Sequence, residues 1–416
     1  MRKFAISKAA IPLSIVAVLL ILPVYTSRAQ AVDSTLARRF QLADNYFRAG
    51  QFERAINLLE DLYDASPNTY VFFDRLKEAY EGVKRYDDAI RLVDDKLEQV
   101  PNNPLFLTEK ARLLYLKGDE AQAFAIWDEA IELAPDNRNT YRAVYQTLFN
   151  VRLLDRAIEV LERGTRELGP NARFESDLAY LYNLTGRHEE AMQAYLDLLI
   201  QNPRQVNYVR GRLGRFIEQE EALQAALTVT ERVVRKEPLN RAIREILAWL
   251  YMEAGDYQRA LDTNRAIDRL EKENGRVLYT FAAAAADASA FEIALEAYND
   301  ILKLYPDSPI AAEAMLGVGI MHEEWAQKIG ERPRDEQSQG STATHYEQAI
   351  ATYRAFIEKY PGSPYYPEVL RRLGHLRRDV CCELGEAEKT LQQVVTQYAS
   401  SRQTSDEAEF DLGRIA

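Results

Sequence analysis

Side chains able to trade protons, hold a metal or attack a substrate are few in this chain, and they are scattered. The four histidines, His188, His322, His345 and His375, lie far apart in the sequence. His322-Glu323-Glu324-Trp325 lacks the second histidine that a helical zinc-protease motif requires. Asp87-Asp88, Asp94-Asp95, Glu189-Glu190 and Glu323-Glu324 are neighbours in sequence, and they read as solvated helix faces rather than as an acid and a base opposed across a substrate. Gly211 and Gly214 form no phosphate loop and read as packing positions on a helix. No serine elbow is present. The only cysteines, Cys381 and Cys382, are adjacent within a helical pattern. Successive helical side chains point about 100° apart, so bridging the two would distort the helix. They read as two partly buried thiols at a helix end, and no disulfide framework is available. The expectation is a chain that is not an enzyme, with no metal and no cofactor.

The elements that carry these residues are set by a period. Alanine recurs at Ala55, Ala89, Ala123, Ala157, Ala191, Ala226, Ala260 and Ala294, every 34 residues except for one step of 35, from Ala191 to Ala226. Proline follows twelve positions later at Pro67, Pro101, Pro135, Pro203, Pro238 and Pro306, and glycine precedes by five at Gly50, Gly118, Gly186 and Gly255. Each period reads as two helices. Ile246, Leu247, Leu250 and Tyr251 sit at helical spacing, Gly255-Asp256 turns the chain, and Ala260, Leu261 and Ile267 continue on a second helix. The alanine is small because the two helices cross there. Opposite it, twelve residues earlier, stand Ala43, Ala111, Ala179, Gly214, Ala248 and Ala282. A larger residue four after the alanine (Leu59, Val93, Trp127, Leu161, Tyr195, Tyr298) fills the space toward the next pair. The proline ends each pair, since it cannot continue a helix and disfavours helix in the residue before it.

Composition agrees with a folded repeat array. Charged residues make up 28% and hydrophobic ones 47% of the 416 residues, as in ordinary folded chains. The net charge of −12 argues against nucleic acid as a partner, because phosphate binding needs a basic stripe.

This pattern of Gly, Ala and Pro at a 34-residue period resembles the tetratricopeptide repeat. The resemblance implies an all-α fold, a right-handed superhelical solenoid of antiparallel helix pairs, with eight regular units over residues 35–306. Beyond it, Tyr305-Pro306-Asp307-Ser308-Pro309 and Tyr360-Pro361-Gly362-Ser363-Pro364 each place a serine N-cap before a proline at the first helical position. The stretch 307–399, two irregular units, is similar to repeats of the periplasmic Tol-Pal coordinator and outer-membrane assembly lipoprotein type. An insertion at 330–344 reads as a flexible loop, and either Ala387 or Thr390 serves as the crossing residue of the tenth unit. Residues 400–416 read as a partial repeat or a capping helix, with Phe410, Leu412 and Ile415 on its apolar face: either it caps the tenth unit, or the chain has been cut short after it, or its exposed edge pairs with another molecule.

In this family the first helices line a concave face, and the resemblance assigns that face by position. It takes Arg112 and Tyr115 from unit three, Arg142, Gln146 and Asn150 from unit four, and Tyr180 and Asn183 from unit five. Tyr208, Arg212 and Arg215 come from unit six and Trp249 from unit seven. Arginine forks and aromatic faces in an acidic chain suit an extended or acidic protein segment; the alternative is that these arginines pair with neighbouring acids. The partners expected are therefore other proteins or peptide segments.

Residues 1–29 read as a signal peptide. Arg2, Lys3 and Lys8 precede an apolar run from Ala9 to Tyr25, and Ser27, Ala29 and Ala31 offer small residues for cleavage after Ala29 or Ala31. The expected protein is an exported, non-catalytic scaffold of a bacterial envelope, periplasmic, working in outer-membrane or cell-wall assembly. Two alternatives stand beside it. One is an assembly factor of a secretion, pilus or exopolysaccharide system held in the membrane by an uncleaved N-terminus; the other is an accessory module of an enzyme complex.

Overall fold

The computed structural model describes residues 35–330 and 336–415, so the expected signal peptide lies outside the described residues. Every regular element among the described residues is helical. The chain divides into two compact units, one ending at Phe174 and one starting at Glu175.

The first unit holds α1 (35–48), α2 (Phe52–Ala65), α3 (Tyr70–Gly82), α4 (Tyr86–Gln99), α5 (Pro104–Lys117), α6 (Glu120–Leu133), α7 (Arg138–Asn150) and α8 (Leu154–Leu168). The second holds α9 (Glu175–Leu184), α10 (His188–Gln201), α11 (Val206–Phe216), α12 (Glu220–Lys236), α13 (Arg241–Glu253), α14 (Tyr257–Glu271), α15 (Arg276–Asp287) and α16 (Phe291–Leu304). It continues with α17 (Ile310–Gly330), α18 (Glu336–Lys359), α19 (Tyr366–Asp379), α20 (Leu384–Gln397) and α21 (Arg402–Gly413).

All eight periodic alanines are fully buried. The larger residues four positions on are buried too, and they reach the next pair as expected: the Trp127 indole donates to Thr147 Oγ1 on α7 at 2.8 Å, and Tyr298 packs so close to Gly317 on α17 that any side chain there would collide with its ring. A second tie recurs with the repeat. Tyr80 donates to Glu60 at 2.7 Å and Tyr251 to Glu231 at 2.9 Å, in both cases from a first helix back to the preceding second helix.

The turn inside each pair needs a left-handed residue five before the alanine. Gly50, Gly118, Gly186 and Gly255 supply it, and so do Lys84, Arg152 and Ser289, with φ of 60°, 66° and 62°. Between pairs, the proline turn delivers an asparagine cap: Asn103 and Asn137 accept from the backbone N–H two residues on at 2.9 Å, and Asn240 from Ile243 at 3.3 Å. Ser308 Oγ accepts from the N–H of Ile310, the first residue of α17, and Ser363 Oγ from that of Tyr365, just before α19; Pro309 and Pro364 lie ahead of the helices rather than at their first positions.

Three sequence expectations need correction, and one open choice is resolved. The sixth pair does not cross at Gly214, which is exposed with open space around its Cα, as is Gly211; α11 instead buries Val209, Leu213 and Phe216. The equivalent of the left-handed turn residue there is Glu221, already inside α12, and α12 packs along α10 and α13 while α11 makes its own contacts with α10 and α13. The extra residue in the 35-residue step shifts this pair out of register. Second, of the expected loop at 330–344, Gly330 closes α17, 331–335 lie outside the described residues, and Glu336–Thr344 forms the first turns of α18; its glutamate, glutamines and alanine are compatible with helix, and the helix meets α17 along much of its length. Third, Cys381 and Cys382 are exposed free thiols beyond the end of α19, with Cys382 at φ 56°, because α19 closes at Asp379. Fourth, the ambiguity at 387–390 resolves to Ala387, fully buried, with Leu391 four residues on against Gly374.

At the C-terminal end α21 packs on α19 and α20 through Ala408, Leu412 and Ile415, while Phe410 is 69% exposed. Arg378 and Asp411, both buried, pair at 2.6 Å beneath it.

Candidate functional site

The residues that repeat position assigns to a binding face fall into different environments. In the first unit, Arg112 is a structural tie. Its guanidinium donates to both Glu81 oxygens at 2.8 and 2.5 Å and to Glu109 at 3.1 and 2.5 Å, and Lys77 reaches Glu109 at 2.6 Å. Burial raises the Glu109 pKa, but hydrogen bonds and charge from Arg112 and Lys77 outweigh it and hold the carboxyl at about 2. For Arg112 the neighbouring-acid alternative therefore holds. Tyr115, half-buried, packs with Phe124 and Trp127, ring centroids 6.2 and 6.1 Å apart. Arg142, Gln146 and Asn150 are exposed along α7.

In the second unit, Tyr208 meets Ser176 hydroxyl to hydroxyl at 2.6 Å, and Arg212 lies 5.4 Å from the Tyr208 ring centre. Tyr180 is 43% exposed on α9, Asn183 is half-buried, and Arg215 is exposed. None of these five lines the cleft at Trp249. The cleft, about 590 Å³, lies between α11, α13 and α15. Ala248, Trp249 and Met252 of α13 and Val277, Phe281 and Ala284 of α15 supply apolar lining. Arg210 of α11 sits over the Trp249 ring at 5.3 Å and makes no ion pair among the described residues. Arg241 and Arg276 stand at the other edge, tied to Glu273 at 2.8 and 2.7 Å. Below that edge, buried Asp268 accepts from the backbone N–H of Gly275 and Val277, fixing the start of α15. Cation over aromatic, an apolar lining and a rim of both signs can hold an extended peptide.

Arg210 is the residue that repeat position misses. Counting back from Ala226 selects Arg212 and Arg215, but α11 is displaced by the 35-residue step. The sequence signal was that one irregular interval.

The histidines also regroup. His322 on α17 and His345 on α18 bring their Nδ1 atoms to 3.1 Å with rings stacked at 5.3 Å, and Trp325 stacks on His345 at 4.2 Å. Burial and then the neighbouring ring lower the His322 pKa to about 4, and burial lowers that of His345. Adjacent Glu323 is engaged elsewhere, accepting from the buried Tyr353 hydroxyl and facing Arg372.

A sequence profile of the tetratricopeptide repeat matches residues 78–138, 146–206 and 215–273, and a second profile of the same repeat matches 39–69 and 337–363. Together they cover more than half of the chain. A Drosophila melanogaster protein described as a homologue of the BBSome complex member BBS4 is 21% identical over 260 residues, 59% of this chain and 52% of its own length. The chain thus spans about half of that relative. Among solved structures, a thermophilic repeat protein of Thermus thermophilus aligns with 42% of this chain and 96% of its own, at 20% identity and a TM-score of 0.27. The C-terminal part of a repeat-containing protein from Cytophaga hutchinsonii aligns with 66% of this chain and 98% of its own, at 16% identity and a TM-score of 0.29.

Proposed function

Since the chain belongs to the tetratricopeptide-repeat family, whose members are generally non-catalytic protein-binding scaffolds, we propose that it docks an extended segment of another protein in the cleft at Trp249. The observation that carries this reading is the pairing of an open apolar floor with Arg210 above the indole face. A segment with one carboxylate and one or two apolar side chains fits: the carboxylate engages the Arg210 fork, and the apolar groups lie on Trp249 and Phe281. Trp and Arg are the residues whose truncation most often costs an interface about 2 kcal/mol or more.

The same proposal places the scaffold in a bacterial envelope, exported and working in outer-membrane or cell-wall assembly. Its support is the leader-like run of Arg2, Lys3, Lys8 and Ala9–Tyr25, with the likeness of the 305–309 and 360–364 segments to envelope repeat proteins. N-terminal sequencing of the native protein tests it, with Gln30 or Val32 expected first. A chain starting at Met1 in the membrane fraction favours the anchored assembly factor instead.

The docking test uses a photocrosslinking residue at Thr280, inside the cleft, and at Gln224, exposed on α12 outside it. Adducts are expected from Thr280 alone, and Trp249→Ala or Arg210→Glu should remove them. Equal labelling at both positions, or adducts that survive both substitutions, would refute the site.

A further inference from the structure

We propose that His322 and His345 form a binding site for a single divalent transition-metal ion of the zinc, nickel or copper class. Their two Nδ1 atoms, carried by different helices, share a hydrogen bond at 3.1 Å. Two imidazole nitrogens bound to one ion at about 2.0–2.1 Å stand about 2.9 Å apart as square-planar neighbours and about 3.3 Å apart as tetrahedral ones. The observed separation falls between these values; the ion would replace the proton the two nitrogens share, and each ring would turn by about 35–45° from its head-on hydrogen-bonded orientation to aim its lone pair at the ion.

The rings are held for this task. Trp325 stacks on His345 at 4.2 Å with planes 25° apart, and Phe291 stacks on Trp325 in turn at 5.7 Å. The α17 and α18 backbones that carry the histidines pack side by side along much of their length. Both histidines are half-buried rather than sealed, so water can complete the coordination sphere. Among the described residues no third His, Cys, Asp or Glu joins them. The site is therefore open, with two or more exchangeable positions, as in metal sites that accept an exogenous ligand. Imidazole donors with open positions suit Zn²⁺, Ni²⁺ and Cu²⁺ and disfavour Mg²⁺ and Ca²⁺, which take oxygen ligands.

The full chain is titrated at pH 7.5 with NiCl₂ and, separately, ZnCl₂, by calorimetry and tryptophan fluorescence. One ion per chain is expected, and Ni²⁺ should quench the part of the emission that comes from Trp325. His345→Gln and His322→Asn should each weaken binding about tenfold or more, whereas His188→Gln and His375→Gln should leave it unchanged. Trp325→Phe should keep the calorimetric binding and lose the quench. On the unaltered chain, nitrogen-15 imidazole spectra should show Zn²⁺ shifting Nδ1 of two histidines only, a readout that does not depend on any variant folding. No binding at millimolar ion, a bond between two imidazoles only, overturns the proposal. So does binding that survives loss of both histidines, or a quench that persists in Trp325→Phe.

Discussion

Gly319→Ala puts the packing of α17 to a direct test. In an unconstrained helix this substitution is favourable by about 1 kcal/mol, since alanine is the best helix former. At Gly319 the new methyl would fall within 3 Å of Tyr353 Cζ and Cδ1, and closer still to Cε1. Tyr353 is fully buried, and its hydroxyl is tied to Glu323, so the ring has no free direction in which to swing. Relief requires either helix displacement, an overpacking cost of about 1–3 kcal/mol, or loss of a hydrogen bond worth about 1.5–3 kcal/mol if its acceptor is charged. Set against the helix-propensity gain, the expected net effect is destabilisation by up to about 2 kcal/mol. Repeat arrays open locally, so the assay is amide exchange of α17 and α18. Exchange should quicken by up to roughly thirtyfold, at about 1.4 kcal/mol per decade. Gly211→Ala, in open space on α11, should slow exchange there by about 1 kcal/mol. On a Tyr353→Leu background, Gly319→Ala should lose most of its penalty. If Gly319→Ala protects α17 as Gly211→Ala protects α11, the close contact with Tyr353 is refuted.

Other outcomes follow from the same structure. Lys84→Gly, Arg152→Gly and Ser289→Gly should each stabilise by about 0.5–1 kcal/mol in urea melts, because a side chain at φ near 60° costs about 1–2 kcal/mol and glycine gives back about 0.4–1 through the unfolded chain. Glu221→Gly, at the equivalent position of the irregular pair but inside α12, should destabilise by about 1 kcal/mol. Glu109 has a folded pKa depressed to about 2, so its stabilisation is complete above about pH 4.5 and is lost as pH falls toward 2; acid titration of Glu109→Gln should show a shallower decline through that window. Asp411→Ala removes one of the two carboxylates that pair with buried Arg378 and leaves Asp379 in place; it should cost about 1–3 kcal/mol, read as faster exchange over residues 402–413.

Much of this fold is written in small residues. Crossing alanines, the glycine turns and the prolines fix seven of the eight regular pairs, because close helix approach and a left-handed turn each admit few residue types. Lys84, Arg152 and Ser289 occupy the same turn without announcing it, since the rest of the pair imposes the conformation. The site was harder to read. Position within a repeat selects Trp249, which lines the cleft, and Arg212 and Arg215, which do not, in place of Arg210, because it assumes a constant register where the chain has a 35-residue step. It also placed Arg112 on a binding face, where Glu81 and Glu109, 31 and 3 residues away, claim it. His322 and His345 look unrelated along the chain and become neighbours only because α17 and α18 pack side by side along much of their length. Contacts of that kind depend on where two helices turn, which periodicity does not specify.

The displacement of α11 has an evolutionary consequence. Because α12 packs along α10 and α13, the packed succession of helices does not pass through α11, although the covalent chain does. Substitutions in α11 at exposed positions, Arg210 among them, can accumulate without disturbing neighbouring pairs, provided Val209, Leu213 and Phe216 keep their burial. One wall of the cleft is thus free to diversify under selection for new ligands, while the opposite wall on α13 and α15 stays under the stricter constraint of holding the stack together.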